Sequence, residues 1–410
     1  MLSLVRREVR FLAKEIICYH TNRSHVALRP NMLSLADGFR ALGCAVTECD
    51  LDNRADTDAC YTRLLSDGNA IAFTVGNNDL GMVLHDENGA PYYPYDAIDT
   101  PHVSVMLDVP YNPCVTGFDT PCRHHIATLL DRHVAPLLPL AWPKKRMAGI
   151  FLPLGGTQAL TEDQAFSAAR PYDVVVSSVF PKGEAWPRRR WHEEGLPAAA
   201  CSILDEAADR LELEPKNSWD GVLDVLAARG FSSDAFKRRM LPYLPLMQRY
   251  IKQYRRLKAV EFLVRAGITP DVFGDGWEGV PFADGLRLHG PVPYEEMLAI
   301  MGKAKVVYQD NAEFANGAHD RVFTAMLNGA VVVSEESTYL AEAFENGKDI
   351  VLFDWKTGAG RVAESVPALI ADETLRLSFA LRAYGKAKAH HTWQNRAARI
   401  VEAVELLYGV

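Results

Sequence analysis

One segment of the 410-residue chain gathers residue types suited to anion chemistry. It runs Asn316-Gly317-Ala318-His319-Asp320-Arg321-Val322-Phe323-Thr324, then through Asn328 and Gly329 into the apolar stretch Ala330 to Val333. A glycine-containing loop opens a helix from about Ala318 to Asn328, Gly329 stops it, and the apolar stretch reads as a strand. The first N–H groups of a helix lack intrahelical acceptors and sit at the positive end of its dipole. Such an end takes a phosphate or diphosphate. First turns usually carry acids, so His319 and Arg321 there ask for an anion, and Arg321 can grip one with paired charge-assisted bonds. The competing reading is a surface ion pair of Arg321 with Asp320 or Glu313, and the local pattern weighs the two evenly.

The elements that position this segment alternate between strand and helix. Strands are expected at 15–20, 45–49, 70–75, 102–107 and 149–154, then at 172–178, 269–273, 286–289, 304–308, 330–334 and 350–353. A helix with Met32, Leu35, Phe39 and Leu42 on one face ends at Gly43, and 194–266 is mostly helical. Thr392 caps a last helix whose apolar stripe is Trp393, Ala397, Ile400, Val401, Val404 and Leu407. Strands separated by helical crossovers pair in parallel. The expected fold is therefore α/β, with two Rossmann-like parallel-sheet halves joined around residues 155–170 and facing a central cleft. Ligands bind outside the carboxyl edges of such sheets and in clefts between domains.

Composition narrows the function. Hydrophobic residues make up 48% and charged residues 23%, ordinary for a globular chain, and the net charge of −8 argues against a nucleic-acid partner. Seven scattered cysteines form no Cys-x-x-Cys pair, so they read as small core residues of a protein in a reducing cytoplasm. Arg6, Arg7, Glu8 and Arg10 interrupt any secretory signal, and no apolar window is long enough for a membrane span. The amphipathic first fourteen residues leave a homo-oligomer open. His124-His125 near Cys114 and Cys122 lie on an expected helix, where adjacent side chains diverge by about 100°, so no metal site is expected. Arg188-Arg189-Arg190 between Trp186 and Trp191 reads as a solvated basic loop.

The stretch from Asp271 to Val333 resembles the nucleotide-sugar-binding domain of GT-B glycosyltransferases, nearest to the bacterial spore-maturation-protein-like group and its group-1 relatives. The resemblance rests on the order of several motifs. They are Phe273-Gly274-Asp275-Gly276-Trp277, His289-Gly290-Pro291-Val292-Pro293-Tyr294-Glu295-Glu296, Arg321-Val322-Phe323 and Asn328-Gly329-Ala330. Phe344-Glu345-Asn346-Gly347-Lys348-Asp349-Ile350 and the Trp393 helix extend it to roughly residues 170–410. It implies an acceptor-binding domain over 1–165 and a nucleotide-sugar-binding domain over 166–385. A terminal helix over 386–410 would pack back on the first domain.

The resemblance also implies roles. Gly290 and Val292 would lie near the donor's base, and Gly317, Ala318, His319 and Arg321 would hold its diphosphate. The loop Ser177 to Gly183 would lie over the donor, with Lys182 on phosphate. Gly274, Asp275 and Trp277 would face the cleft, although Asp275 reads equally as a turn residue. Relatives carry a ribose-binding Glu where this chain has Thr324, and some carry a second acid where it has Asn316. The implied activity is transfer of a sugar from a nucleotide-diphosphate donor to a protein or glycan acceptor. It would use no cofactor beyond that co-substrate and no essential metal. A base must take the acceptor's proton in an inverting mechanism. Asp108, after the 102–107 strand, is the first candidate, against its reading as a turn residue before Pro110. His20 is the second, with Asn22, Arg23 and His25 as acceptor contacts. The rivals are a sugar-nucleotide epimerase, an inactive sugar-nucleotide-binding partner and a periplasmic-type binding protein, the last opposed by the missing signal.

Overall fold

The computed structural model describes residues 14–21, 28–67, 70–77, 84–92, 94–113, 122–167, 169–181, 188, 190–311 and 313–409. Residues 1–155 with 391–410 form one compact unit, and residues 156–390 form the other. The division falls at Gly155/Gly156 and His390/His391, where the sequence reading placed it at 165 and 385.

The first unit holds β1 (Glu15–His20), β2 (Ala45–Asp50), β3 (Ile71–Asn77), a short antiparallel pair β4 (Leu84–His85) and β5 (Pro91–Tyr92), β6 (His102–Val105), β7 (His125–Leu129) and β8 (Met147–Phe151). Six of these form a parallel sheet in the order β2-β1-β3-β6-β7-β8. The order reverses between β1 and β3, which is where open α/β sheets bind ligands. Helix α1 (Leu28–Ala41) buries Met32, Leu35, Ala36 and Phe39, and Phe39 meets Phe73 of β3 edge-on with ring centroids 5.7 Å apart. Met32, Leu35 and Phe39 each contribute about 1.5–3 kcal/mol on burial. Gly43, at φ +84°, ends the turn after α1. Helix α2 (Arg54–Ser66) is capped by Asn53, whose side chain accepts from the N–H groups of Ala55 and Asp56.

The terminal helix, Trp393–Tyr408, belongs to this unit and lies across α1. Thr392 and Asn395 close a reciprocal capping box at its start. The close crossing needs Gly38, since a Cβ there would stand 2.8 Å from the carbonyl oxygen of Trp393. Trp393, Ala397, Ile400 and Val404 are buried as the stripe requires, but Leu407 is 44% exposed.

Three strand readings need correction. The strand expected at 149–154 is β8, Met147–Phe151, which begins two residues earlier and ends three earlier. β6 ends at Val105 rather than Leu107, because the N–H of Met106 leaves the ladder and donates to Thr128 Oγ1 at 3.0 Å. The His124-His125 segment is not helical. His125–Leu129 is the inner strand β7, buried at every position. A strand buried on both faces shows no alternation, so periodicity could not distinguish it from a helix.

The second unit holds β9 (Tyr172–Ser177), β10 (Asp271–Phe273), β11 (Arg287–Leu288), β12 (Ala304–Gln309), β13 (Val331–Glu335) and β14 (Val351–Phe353). All pair in parallel in the order β11-β10-β9-β12-β13-β14. The chain leaves β9 through a helical excursion that includes α3 (Ser218–Ala228) and α4 (Leu244–Arg265), adds β10 and β11 on one side of β9, and then crosses back to β12 on the other. The order therefore reverses between β9 and β12. Helix α5 (Asp320–Leu327) joins β12 to β13. Valines 174–176 and 331–333 are fully or almost fully buried, the run expected of strands covered on both faces. No helix among the described residues is long and apolar enough to cross a membrane.

Candidate functional site

The anion-suited segment lies at the reversal point of the second unit. α5 begins at Asp320, two residues later than expected, and His319 stands just before it as the N-cap with φ −82° and ψ 145°. Its ring Nδ1 accepts from the N–H of Arg321 at 3.4 Å and lies against the Asp320 carboxylate. Burial, helped by Arg321, lowers the His319 pKa. Burial alone would raise the pKa of Asp320, but His319 and Arg321 hold it below its ordinary value.

Arg321 pairs with neither expected surface partner. Its Nη1 donates to the carbonyl of Ser177 at the end of β9. Glu313 instead caps α3, accepting from Ser218 N at 3.1 Å and Ser218 Oγ at 2.7 Å. Arg321 lines a small cavity with Ser177, Ser178, Arg256, Gln309 and Asp310, at the carboxyl ends of β9 and β12. Arg256, on α4, donates through Nε to Asp310 Oδ2 at 3.2 Å and through Nη1 to the Val179 carbonyl at 2.7 Å. Arg321 Nε and Ser178 Oγ, of two residues that line this cavity, are buried with no hydrogen-bond partner. Two cations, an unspent guanidinium N–H and a serine hydroxyl thus meet beside the start of α5.

The Gly274 to Trp277 motif supports this cavity from below. Ser178 N donates to the Phe273 carbonyl at 3.1 Å, and Phe180 N to the Asp275 carbonyl at 2.8 Å. A Cβ on Gly274 (φ +145°) would overlap the Ser178 carbonyl oxygen, and one on Gly276 (φ +89°) would overlap that of Phe180. Trp277 is fully buried, packs on Phe180 at 5.1 Å and donates Nε1 to the Ser178 carbonyl at 2.9 Å. It faces the core rather than a cleft. Its indole fixes the backbone that Arg321 also holds. Asp275 acts in the same lattice through its carbonyl.

The other expected donor residues divide. Gly290, at φ +71°, has open space where a Cβ would point, and its carbonyl receives Gly274 N at 2.9 Å. Val292 packs partly against the apolar core beside α5. His289 is drawn to Asp271, at 2.8 Å, and stacks on Phe273 at 4.4 Å. Ala318 is fully buried, and the Gly317 carbonyl receives Ser337 Oγ at 2.7 Å. Asn316 is buried, with Nδ2 donating to Asp220 of α3 at 3.2 Å and Oδ1 receiving Thr338 Oγ1 at 3.1 Å. Thr324 is 2% exposed, and its hydroxyl receives Thr157 N at 3.1 Å. Lys182 lies outside the described residues.

In the first unit, His20 ends β1 at the reversal point of its sheet and is buried. Glu48 and Asp50 each stand 3.8 Å from its ring. Burial, then Arg29, lower its pKa, so the imidazole is neutral near pH 7. Asp108 is half-buried and sits in its own turn, where Oδ1 receives Val109 N at 2.8 Å and Oδ2 receives Asn112 Nδ2 at 2.6 Å. Asn22, Arg23 and His25 lie outside the described residues.

Arg256 and Asp310 were missed in the sequence. The available signal was Arg249-x-x-Lys252-x-x-x-Arg256, a basic i, i+3, i+7 stripe on α4. Arg188 bridges Asp209 at 2.5 Å and Glu212 at 3.3 Å, and Trp191 is buried with Nε1 on Asp205 at 2.9 Å.

Comparison with known proteins follows this geometry. Residues 253–402 match the family model described as glycosyl transferase-like, a span that includes Arg256, Asp310 and all of α5. The match bears out the glycosyltransferase resemblance and the enzyme class expected from it. No curated protein sequence matches the chain. Among solved structures, an α-glucosyltransferase in complex with UDP-glucose and DNA containing an abasic site is 12% identical. The alignment covers 95% of this chain and 99% of that one, with a TM-score of 0.51. This likeness shows the fold, two parallel-sheet α/β units of the glycosyltransferase type. AviGT4, a glycosyltransferase involved in avilamycin A biosynthesis, is 12% identical over 97% of this chain and 99% of its own, at a TM-score of 0.49. Anabaena Alr3699/HepE in complex with UDP and glucose is 11% identical over 96% and 100%, at 0.46.

Proposed function

We propose that the chain transfers a glycosyl group from a nucleotide-diphosphate sugar to a hydroxyl of a glycan or protein. The donor's diphosphate would lie at the mouth of the cavity between β9 and β12, whose own volume of about 10 Å³ has room for about one water. One observation carries this reading: Arg321 and Arg256 converge at the sheet's reversal point, beside a helix start, with Arg321 Nε and Ser178 Oγ unsatisfied. Buried polar groups are rarely left without partners, and each costs about 1–3 kcal/mol until it finds one. A diphosphate at the cavity mouth would offer acceptor oxygens to the Arg321 and Ser178 side chains once they turn toward it.

In the transfer, the bond from the sugar's anomeric carbon to the diphosphate oxygen breaks, and its electron pair stays with the diphosphate. The acceptor oxygen bonds to that carbon and loses its proton to a base. Preorganised cations and N–H groups lower the barrier by neutralising the leaving diphosphate, without an essential metal. Neutral His20 is suited to accepting the proton, and Asp108 is the second candidate.

Thermal shift tests the donor reading. The panel is UDP, GDP, ADP and dTDP with their glucose esters, with and without Mg²⁺. UDP-glucose comes first, being the ligand of the α-glucosyltransferase that shares the fold. A ligand that binds only folded protein raises the melting temperature. One nucleotide should give a metal-independent shift, and Arg321→Ala should remove it. No shift with any nucleotide, or an undiminished shift in the variant, would overturn the assignment. A second reading, nucleotide-sugar binding without transfer, is favoured by Thr324, whose hydroxyl is occupied by Thr157. Donor binding with no turnover on any acceptor would select it.

A further inference from the structure

Asp310 carries the wrong charge for a wall that receives a diphosphate. It directly follows β12, is 6% exposed, and lines the same cavity as Arg256, Arg321 and Ser178. Burial would raise its pKa, but Arg256 and Arg321 hold it below its ordinary value, so it is an anion at neutral pH. Its Oδ2 takes the Arg256 Nε–H at 3.2 Å. Both arginines also have anchors of their own, Arg321 on the Ser177 carbonyl and Arg256 on the Val179 carbonyl. Asp310 is therefore one of several restraints on their positions, but the only acid lining the cavity among the described residues.

We propose that Asp310 discriminates between donor and product by charge, favouring release of the nucleoside diphosphate over release of the unreacted donor. This rests on the donor reading above. A sugar-nucleotide diphosphate carries two negative charges. The free nucleoside diphosphate gains a terminal phosphate oxygen with a second pKa near 6, and so carries about three at pH 7.5. The arginines attract both ligands. The carboxylate opposes both, and opposes the product by one further charge. At separations of about 5–7 Å and an effective dielectric near 20, one extra unit charge amounts to a factor of about 50–300 before screening by solvent. The same residue thus offsets the tight grip that two arginines would otherwise keep on the leaving group.

The test measures binding of UDP and UDP-glucose at pH 7.5 by calorimetry, with GDP, ADP, dTDP and their glucose esters run alongside. The proteins are the full-length wild type, Asp310→Asn and Asp310→Glu. In Asp310→Asn, UDP should tighten at least about tenfold relative to UDP-glucose, the Coulomb factor reduced by solvent screening, and product inhibition should strengthen. Asp310→Glu should restore the wild-type ratio. If Asp310→Asn does not fold, Asp310→Ser, which leaves room for a water, carries the measurement. An unchanged ratio, or equal weakening of both ligands, would mean that Asp310 merely positions the arginines, and would overturn the inference while the donor reading stood. Wild-type protein that binds no nucleotide of the panel would overturn the donor reading and this inference with it.

Discussion

Thr157 donates its backbone N–H to the hydroxyl of Thr324 at 3.1 Å. Around that bond, Asn328 Nδ2 donates to the Thr157 carbonyl at 2.9 Å, and Asn328 Oδ1 receives the N–H groups of Ala159 and Leu160. The outer side of α5 therefore ties down the segment that opens the second unit. A threonine at this position serves the fold, where the resemblance had implied a sugar-binding acid.

Thr324→Val should consequently lower stability and leave nucleotide affinity alone. It strands a buried N–H, at a cost of about 1–3 kcal/mol. Urea unfolding and UDP binding, measured on the same preparation, separate the two effects. A variant of full stability with tenfold weaker binding would contradict this assignment.

Gly274 and Gly290 make a controlled pair. Both have positive φ, but only Gly274 abuts backbone, the Ser178 carbonyl. Gly290→Ala should cost about 1–2 kcal/mol, the strain of a left-handed residue. Gly274→Ala must also push the 178–180 loop away and should remove nucleotide binding in the thermal-shift panel. Equal behaviour of the two variants would show that the loop's position is unimportant.

The first unit should lose stability in acid before its carboxylates are protonated. His102 and His125 are paired across β6 and β7, and both are buried. Burial, with Lys145 adding to it, pushes the His102 pKa down to about 3 and the His125 pKa down as well. Unfolded histidine binds a proton below about pH 6.5, while these folded ones remain neutral. Their stabilisation is full above that pH and is lost as pH falls from 6.5 toward the folded values. At pH 5 the loss reaches about 2 kcal/mol for His102, and His125 adds to it in the same direction. Denaturant unfolding at pH 7.5 and pH 5 measures it, and His102→Gln should reduce the difference, leaving the share of His125. Equal stability at both pH values in the wild type would refute the account.

His20→Ala should lower turnover at least a hundredfold with UDP affinity unchanged, the usual scale for a lost general base. Asp108→Asn tests the other candidate, and its own turn bonds to Val109 and Asn112 make a loss of stability the alternative outcome. Turnover within a few-fold of wild type in both variants would remove both residues from the proposed chemistry.

The sequence made the sheet strands legible where hydrophobic runs ended in polar or glycine-containing loops, as at His20 and Ser177. It failed at β7, because doubly buried strands carry no period. In the candidate site, Arg321 was legible through its place at a helix start. Its actual partner, the Ser177 carbonyl, lies 144 residues away and carries no side-chain signal. Arg256 and Asp310 reach the cavity only because α4 and β12 converge there. Trp277 showed its importance but not its direction, since an indole facing the core and one facing a ligand look alike in a strand-end motif.

The division at Gly155 bears on how the protein is made. The second unit is a single uninterrupted stretch, 156–390, whereas the first comprises 1–155 and 391–410. During synthesis the second unit can fold as soon as its own residues have emerged. The first must wait, with the face of α1 around Gly38 uncovered, until the terminal helix arrives. The unit begun first is therefore completed last, and in the interval the uncovered apolar face of α1 is open to aggregation.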